Sequence, residues 1–264
     1  MIIPIDDADD PRIATYRHIR ERDLVGREGR FIAEGKVVLN VLFATRRFEL
    51  ESVLVLESRL AGLGAALDLA PKAMPVYVAS AKIVDLIAGY HLHRGVLAVG
   101  RKRPPQDVGT LIAGLPKRAM VVALAGISNH DNMGAIFRNA AAFAADAVLL
   151  DDACCDPLYR KAIRVSVGAA LKVPFATGGA AGDLAQRLQE NGFGLLALSP
   201  LGRTDIARVQ RGERVALLLG TEGEGLPADL LARLDSVRIA MSESFDSLNV
   251  AAASAIALHR LWRE

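Results

Sequence analysis

The stretch Met120–Arg138, MVVALAGISNHDNMGAIFR, changes character halfway along. Met120–Leu124 is an aliphatic run too short for a buried helix, and it reads as a strand. A polar run follows, Ser128, Asn129, His130, Asp131 and Asn132, and leads past Gly134 into a helix that carries Arg138 about one turn further on. An Asn or Asp at a helix start caps N–H groups that have no partner within the helix. Strand, polar loop and helix together form the unit of an open α/β sheet, which binds ligands beyond the carboxyl ends of its strands. Taken alone, this segment is explained equally well by a capped loop with a solvated arginine.

Working outward, similar aliphatic runs recur at Ala147–Leu150, Leu195–Leu198, Val215–Leu219 and Val237–Ile239, with Gly and Pro between them. They predict a parallel sheet with helices between its strands. Two further strand-to-helix loops stand out. Gly220–Pro227, GTEGEGLP, has three glycines that let backbone approach a flat ligand such as an adenine ring. Glu222 and Glu224 would repel a polyphosphate there, and the loop lacks the Lys-Ser/Thr of a P-loop. Gly223, Gly225 and Ala228 also fit a G-x-G-x-x-A dinucleotide pattern, with Glu243 twenty residues beyond Gly223. Only about one strand and one helix follow, too little chain for a mononucleotide-binding half.

The third loop is Ile239–Asn249, IAMSESFDSLN, where Ser247 and Asn249 can cap a helix or hold a ligand. The helix it opens, Val250–Trp262, places Val250, Ala253, Ser254, Ala257, Leu258 and Leu261 on one stripe, for an internal core or for a second subunit.

Upstream, a helix is expected near Ile13–Arg20, another at Lys36–Arg46, a strand at Val53–Glu57, a helix at Leu60–Leu69, a strand at Val76–Val78, a helix at Ala81–Ile87 and a strand at Val96–Val99. RKRPPQDVGTLIAGLPKR, Arg101–Arg118, is dense in proline, glycine and basic residues and reads as the join. The expected organisation is therefore a small α/β domain over 1–100, a linker over 101–117 and a larger α/β domain over 118–264. At 264 residues, two domains are the natural division.

A net charge of +2 does not by itself announce a nucleic-acid partner. The basic excess lies in residues 1–118, with 18 Lys and Arg against 14 Asp and Glu. Arg17, Arg20, Arg22, Arg27 and Arg30 are interleaved with Glu21, Asp23 and Glu28, as in a solvated helix face, with an RNA-contact strip as the alternative. No apolar stretch is long enough to span a bilayer, and Asp6, Asp7, Asp9 and Asp10 stand where a signal peptide would be basic, which points to the cytoplasm. Cys154 and Cys155 are adjacent and read as free thiols, and His91 and His93 as turn residues; no metal is expected.

The three loops, in this order and spacing, resemble the signature motifs of the SpoU/TrmH family of SPOUT-class RNA 2′-O-ribose methyltransferases. Motif one is Asn132-x-Gly134-x-x-x-Arg138-x-Ala140, motif two Gly220-x-Glu222-Gly223-x-Gly225-Leu226, and motif three Ser247-Leu248-Asn249-Val250 preceded by Ile239 and Met241. Arg160–Pro174 resembles the family's intermediate Arg-x-Ser-x-Gly-Ala segment, and Phe31–Gly35 is similar to the start of the ribosomal-protein-like RNA-binding domain of many members. Ala240 departs from the family, which usually has proline before Met241.

The resemblance implies a parallel-sheet domain tied in a deep trefoil knot, behind a small RNA-binding α/β domain. It implies S-adenosylmethionine as methyl donor, held by Leu198, Ser199, Gly220, Ile239, Met241 and Leu248. Ribosomal or transfer RNA is the implied substrate, with Arg138, Asn132, Glu222, Ser247 and Asn249 as the catalytic set, Arg138 and Arg164 on the RNA, and a homodimer as the assembly. Two other functions stand beside it, a knotted RNA-assembly protein without catalysis and a nicotinamide-dependent oxidoreductase built on GTEGEGLPA. Intact Asn132, Arg138, Glu222, Ser247 and Asn249 disfavour the first, and the late position of the loop the second.

Overall fold

The computed structural model describes residues 1–17, 25, 28–88, 94–242, 244 and 246–262. The chain divides into two compact units, Met1–Pro104 with Asp156–Lys172, and Pro105–Cys155 with Val173–Glu264. The first boundary falls inside the 101–117 segment, whereas Asp156–Lys172 leaves the second half of the chain and packs with the first unit.

The first unit is built on five strands, β1 (Ile2–Ile5), β2 (Arg30–Glu34), β3 (Glu49–Leu56), β4 (Val76–Ala79) and β5 (Val96–Arg101), in the order β1-β4-β3-β5-β2. β4 runs parallel to both β1 and β3, while β5 runs antiparallel to both β3 and β2. One core cluster joins Ile5, Ile13, Tyr16, Ile32, Leu54, Val84, Ile87, Leu97 and Val99. Helix α1 (Lys36–Thr45) buries Val38, Leu39, Leu42 and Phe43, the spacing of a single helical face. Arg46 ends it in the left-handed region at φ 51°. Helix α2 (Ala81–Ala88) follows β4 as expected.

Where a helix is expected at Ile13–Arg20, Pro11–Tyr16 form a 3₁₀ helix, with Asp10 accepting the Arg12 N–H at its start and Arg17 extended at its end. Arg20, Arg22, Arg27, His91 and His93 lie outside the described residues. Arg17 pairs with Asp9, and Arg30 is a strand residue paired with Glu28 and Glu51. Leu60–Leu69 is not one helix but short turns over 57–67, interrupted where Gly62 and Gly64 weaken helix propagation. Helix α5 (Arg160–Val165) is anchored by Arg160, whose guanidinium donates twice to Glu34 Oε2 at 3.0 and 2.8 Å. Both side chains are largely buried.

The second unit holds seven parallel strands, β6 (Ala119–Leu124), β7 (Ala147–Leu150), β8 (Phe175–Thr177), β9 (Gly194–Leu198), β10 (Thr204–Asp205), β11 (Arg214–Leu219) and β12 (Asp235–Arg238). Their order is β10-β12-β9-β11-β6-β7-β8. Every residue of β6 and β7 is buried, as expected of strands covered on both faces. On one face α3 (Val108–Ala113), α6 (Ala181–Glu190) and α7 (Ala228–Arg233) pack Leu111, Ile112, Leu184, Leu188 and Leu230 against Val121, Ala123, Leu149, Ala197 and Leu218.

Strand alternation turns Met120, Val122 and Leu124 to the other face, where α4 (His130–Ala142) and α8 (Val250–Leu261) pack on each other. Helix α3 lies within the expected linker. Asp107 caps it by accepting the Thr110 N–H, and Leu111 and Ile112 tie it to the core. Ser254, Ala257, Leu258 and Leu261 of α8 are buried within the chain, so that stripe is an internal core; Ile256 and Trp262 are its exposed apolar residues.

Candidate active site

Each of the three strand-to-helix loops is shaped by backbone chemistry before any side chain acts. After β6, Gly126 turns at φ +67° and gives its N–H to the buried carboxylate of Asp151, at 3.0 and 3.1 Å. Asn129 then caps α4, its Oδ1 accepting from Asp131 and Asn132 N–H at 2.8 and 3.3 Å. After β11, Thr221 and Gly225 exchange backbone hydrogen bonds of 3.2 Å, with Gly223 and Gly225 at φ +99° and +74°. A Cβ on Gly220 would stand 2.2 Å from the carbonyl carbon of Gly225, so no other residue fits without moving the loop. Gly223 and Gly225 thus fold the loop back on itself, and Glu243 of the dinucleotide pattern lies outside the described residues. After β12, Asn249 caps α8, its Oδ1 accepting from Ala251 and Ala252 N–H.

These turns bring one residue of each loop to a common point. Asn132 Nδ2 donates to Glu222 Oε1 at 2.6 Å, Asn249 Nδ2 to the same oxygen at 2.7 Å, and Asn249 Nδ2 also to Asn132 Oδ1 at 3.0 Å. A single carboxylate oxygen therefore joins motif one to motif three through motif two. Charge-assisted bonds of this kind are roughly twice as strong as neutral ones.

Beside this junction lies a cavity of about 320 Å³. Leu198, Ser199, Gly220, Ile239, Met241 and Leu248, the six residues expected to hold the donor, all line it, as do Glu222, Ser247 and Asn249. Ala240 is exposed between Ile239 and Met241, and its lack of a proline ring leaves both neighbours at the wall. Among the described lining residues, Glu222 is the one charged group. Pro200, Leu219 and Thr221, to which the sequence reading gives no site role, also line it, with Gly223, Gly225, Val250 and Ala253.

Asn132 stands behind the wall and holds Glu222. Arg138 is exposed on α4, does not line the cavity, and has no hydrogen-bond or ion-pair partner among the described residues. Arg164 is exposed at the last turn of α5, in the first unit. Cys154 Sγ accepts from Ile127 N–H, and burial pushes its thiol up to about 12, so it stays neutral and structural. No group of candidate metal ligands occurs among the described residues. None of the described helices is long and apolar enough to cross a membrane.

The SpoU rRNA Methylase family matches residues 119–259. An uncharacterized tRNA/rRNA methyltransferase of Mycobacterium bovis is 42% identical over 267 residues, covering 97% of this chain and 90% of its own. An AdoMet-bound rRNA methyltransferase from Sinorhizobium meliloti shares the fold with a TM-score of 0.80, over 98% of this chain and 97% of that one, at 23% identity. An RNA 2′-O ribose methyltransferase does so with a TM-score of 0.77, over 99% and 98%, at 24% identity. The family match spans more than half of the chain and takes in all three loops, and the chain belongs to the SpoU rRNA methylase family.

Proposed function

We propose that this protein transfers a methyl group from S-adenosylmethionine to a ribose 2′-hydroxyl of ribosomal or transfer RNA. The observation that carries the reading is the charge of the cavity. Its described wall is apolar side chain, backbone and neutral polar groups, with one carboxylate, Glu222, and no cation. A dinucleotide would bring its pyrophosphate to that carboxylate without a counter-charge, whereas a ligand bearing a sulfonium and an ammonium suits it. When bound, the donor supplies a methyl group made electrophilic by the positive sulfur.

The chain's own residues supply position and charge. Leu198, Ile239, Met241 and Leu248 offer an apolar slot for a flat ring, and Ser199 and Gly220 bring hydroxyl and backbone groups to its edge. The Asn132–Glu222–Asn249 junction holds the carboxylate in one place. Arg138, through its forked guanidinium, grips the phosphate beside the target ribose and stabilises the developing 2′-alkoxide. Arg164 is a second contact for the RNA backbone. The reading includes a knotted second unit and a homodimer using the exposed faces of α4 and α8; light scattering that returned a monomer mass would remove the dimer.

Arg138→Ala decides the division of labour. Donor binding measured by calorimetry is expected to stay within about twofold, while tritium transfer to RNA falls by about a thousandfold. Loss of both together would refute it. In a thermal-shift comparison, S-adenosylmethionine is expected to raise the melting temperature and NAD is not. Mass-spectrometric mapping of ribose methylation in RNA from a deletion strain, against wild type, identifies the nucleotide.

A further inference from the structure

Helix α4 is held to α8 at two levels. At the first, Asn132 meets Asn249 and Glu222. Seven residues on, Asn139 Nδ2 donates to Ala251 O at 2.8 Å and to Ser254 Oγ at 2.9 Å. Ser254 is fully buried, and its hydroxyl donates to the same Ala251 carbonyl at 2.7 Å. Two residues seven apart lie on one face of a helix, about 10 Å from each other along its axis. The buried Met133, Ile136 and Phe137 pack α4 without direction, and the two polar contacts on one stripe specify its rotation and axial position against α8. Arg138 is the neighbour of Asn139, about 100° around the helix, so whatever fixes Asn139 fixes the direction in which Arg138 leaves the backbone.

We infer that Asn139 is a positioning residue for Arg138, aiming its guanidinium by locking α4 to the first turns of α8. Those turns carry Val250 and Ala253 of the cavity wall, so the helix that shapes the donor site also sets the angle of the arginine. A buried serine within an otherwise apolar stripe is accounted for by the same contact, as the acceptor that receives the second Asn139 hydrogen. The inference rests on the role given above to Arg138.

The test uses the full-length chain with Asn139→Leu, which roughly keeps the volume and removes both hydrogen bonds. Expected is a kcat about tenfold lower at saturating RNA and donor, with donor Kd and the KM for RNA within twofold, since misaligning a group without removing it costs rate before binding. A purely structural asparagine would instead lower the melting temperature and the number of donor sites, leaving kcat per bound donor unchanged, and that result overturns the inference. If Asn139→Leu binds no donor because it fails to fold, Ser254→Ala removes one acceptor with little change in size. Its kcat is then expected to fall about threefold, and an unchanged kcat overturns the inference. A wild-type chain that transfers methyl to no RNA sinks both readings; one that does, with Asn139→Leu turning over equally fast, sinks this one alone.

Discussion

Glu222 accepts two amide hydrogens on one oxygen, and both donors come from helix N-termini in other loops. The two bonds need only an acceptor, and in the proposed function its negative charge is what the cationic donor meets. Glu222→Gln keeps the carbonyl oxygen and removes the charge. Donor affinity is expected to fall about tenfold, while affinity for the thioether product, whose sulfur is neutral, changes less. Calorimetry with both ligands checks this, and equal losses would assign Glu222 to the loop rather than to the donor. Asn132 illustrates what a motif conceals. The resemblance places it in the catalytic set, and it stands behind the cavity wall and donates to Glu222.

At the scale of the element, the Thr221–Gly225 turn is governed by Gly220 more than by the glycines with positive φ. Gly220→Ala drives a methyl group into the backbone of Gly225 and Leu226. It is expected to lower stability by about 2 kcal/mol or more and to abolish donor binding; thermal denaturation and calorimetry would show a native melting point if the loop could yield. The strands of the second unit were legible because a parallel strand covered on both faces is a short aliphatic run, and Ala147–Leu150 was read to the residue. Val237–Ile239 slipped toward its neighbours because pairing stops at Arg238 and Ile239 turns to the cavity. Strands β1, β2, β8 and β10 escape the sequence reading: Pro4 interrupts β1, β2 follows a run of alternating charge that reads as a helix face, and β8 and β10 have three and two residues. Of the site, all three loops were visible in the chain, but the contact of Asn139 with Ser254 was not. It joins residues 115 positions apart, and each looks ordinary in its own helix.

For the whole molecule, the telling feature is that Asp156–Lys172 is covalently flanked by the second unit and packed into the first. Proline and glycine content marked the crossing at 104–105, whereas nothing local in RKAIRVSVGAALK announces that Ala162, Ile163, Ala170 and Leu171 are covered by residues before the linker. A fragment 105–264 leaves those apolar groups without cover and takes Glu34 away from Arg160, exposing a contiguous apolar patch to solvent. It is expected to aggregate at concentrations where the full chain stays in solution. A monodisperse, donor-binding fragment would show that the excursion is dispensable.

The place of β9 has a consequence in time. Its two neighbours in the sheet are β11 and β12, and both come later in the chain. As the polypeptide leaves the ribosome, Leu195–Leu198 therefore has no strand to pair with until residues 214–219 have followed it out, and lacks its second neighbour until residue 238. The apolar segment stays unpartnered through that interval, open to misassociation while the chain is still attached to the machine whose RNA is among its proposed substrates.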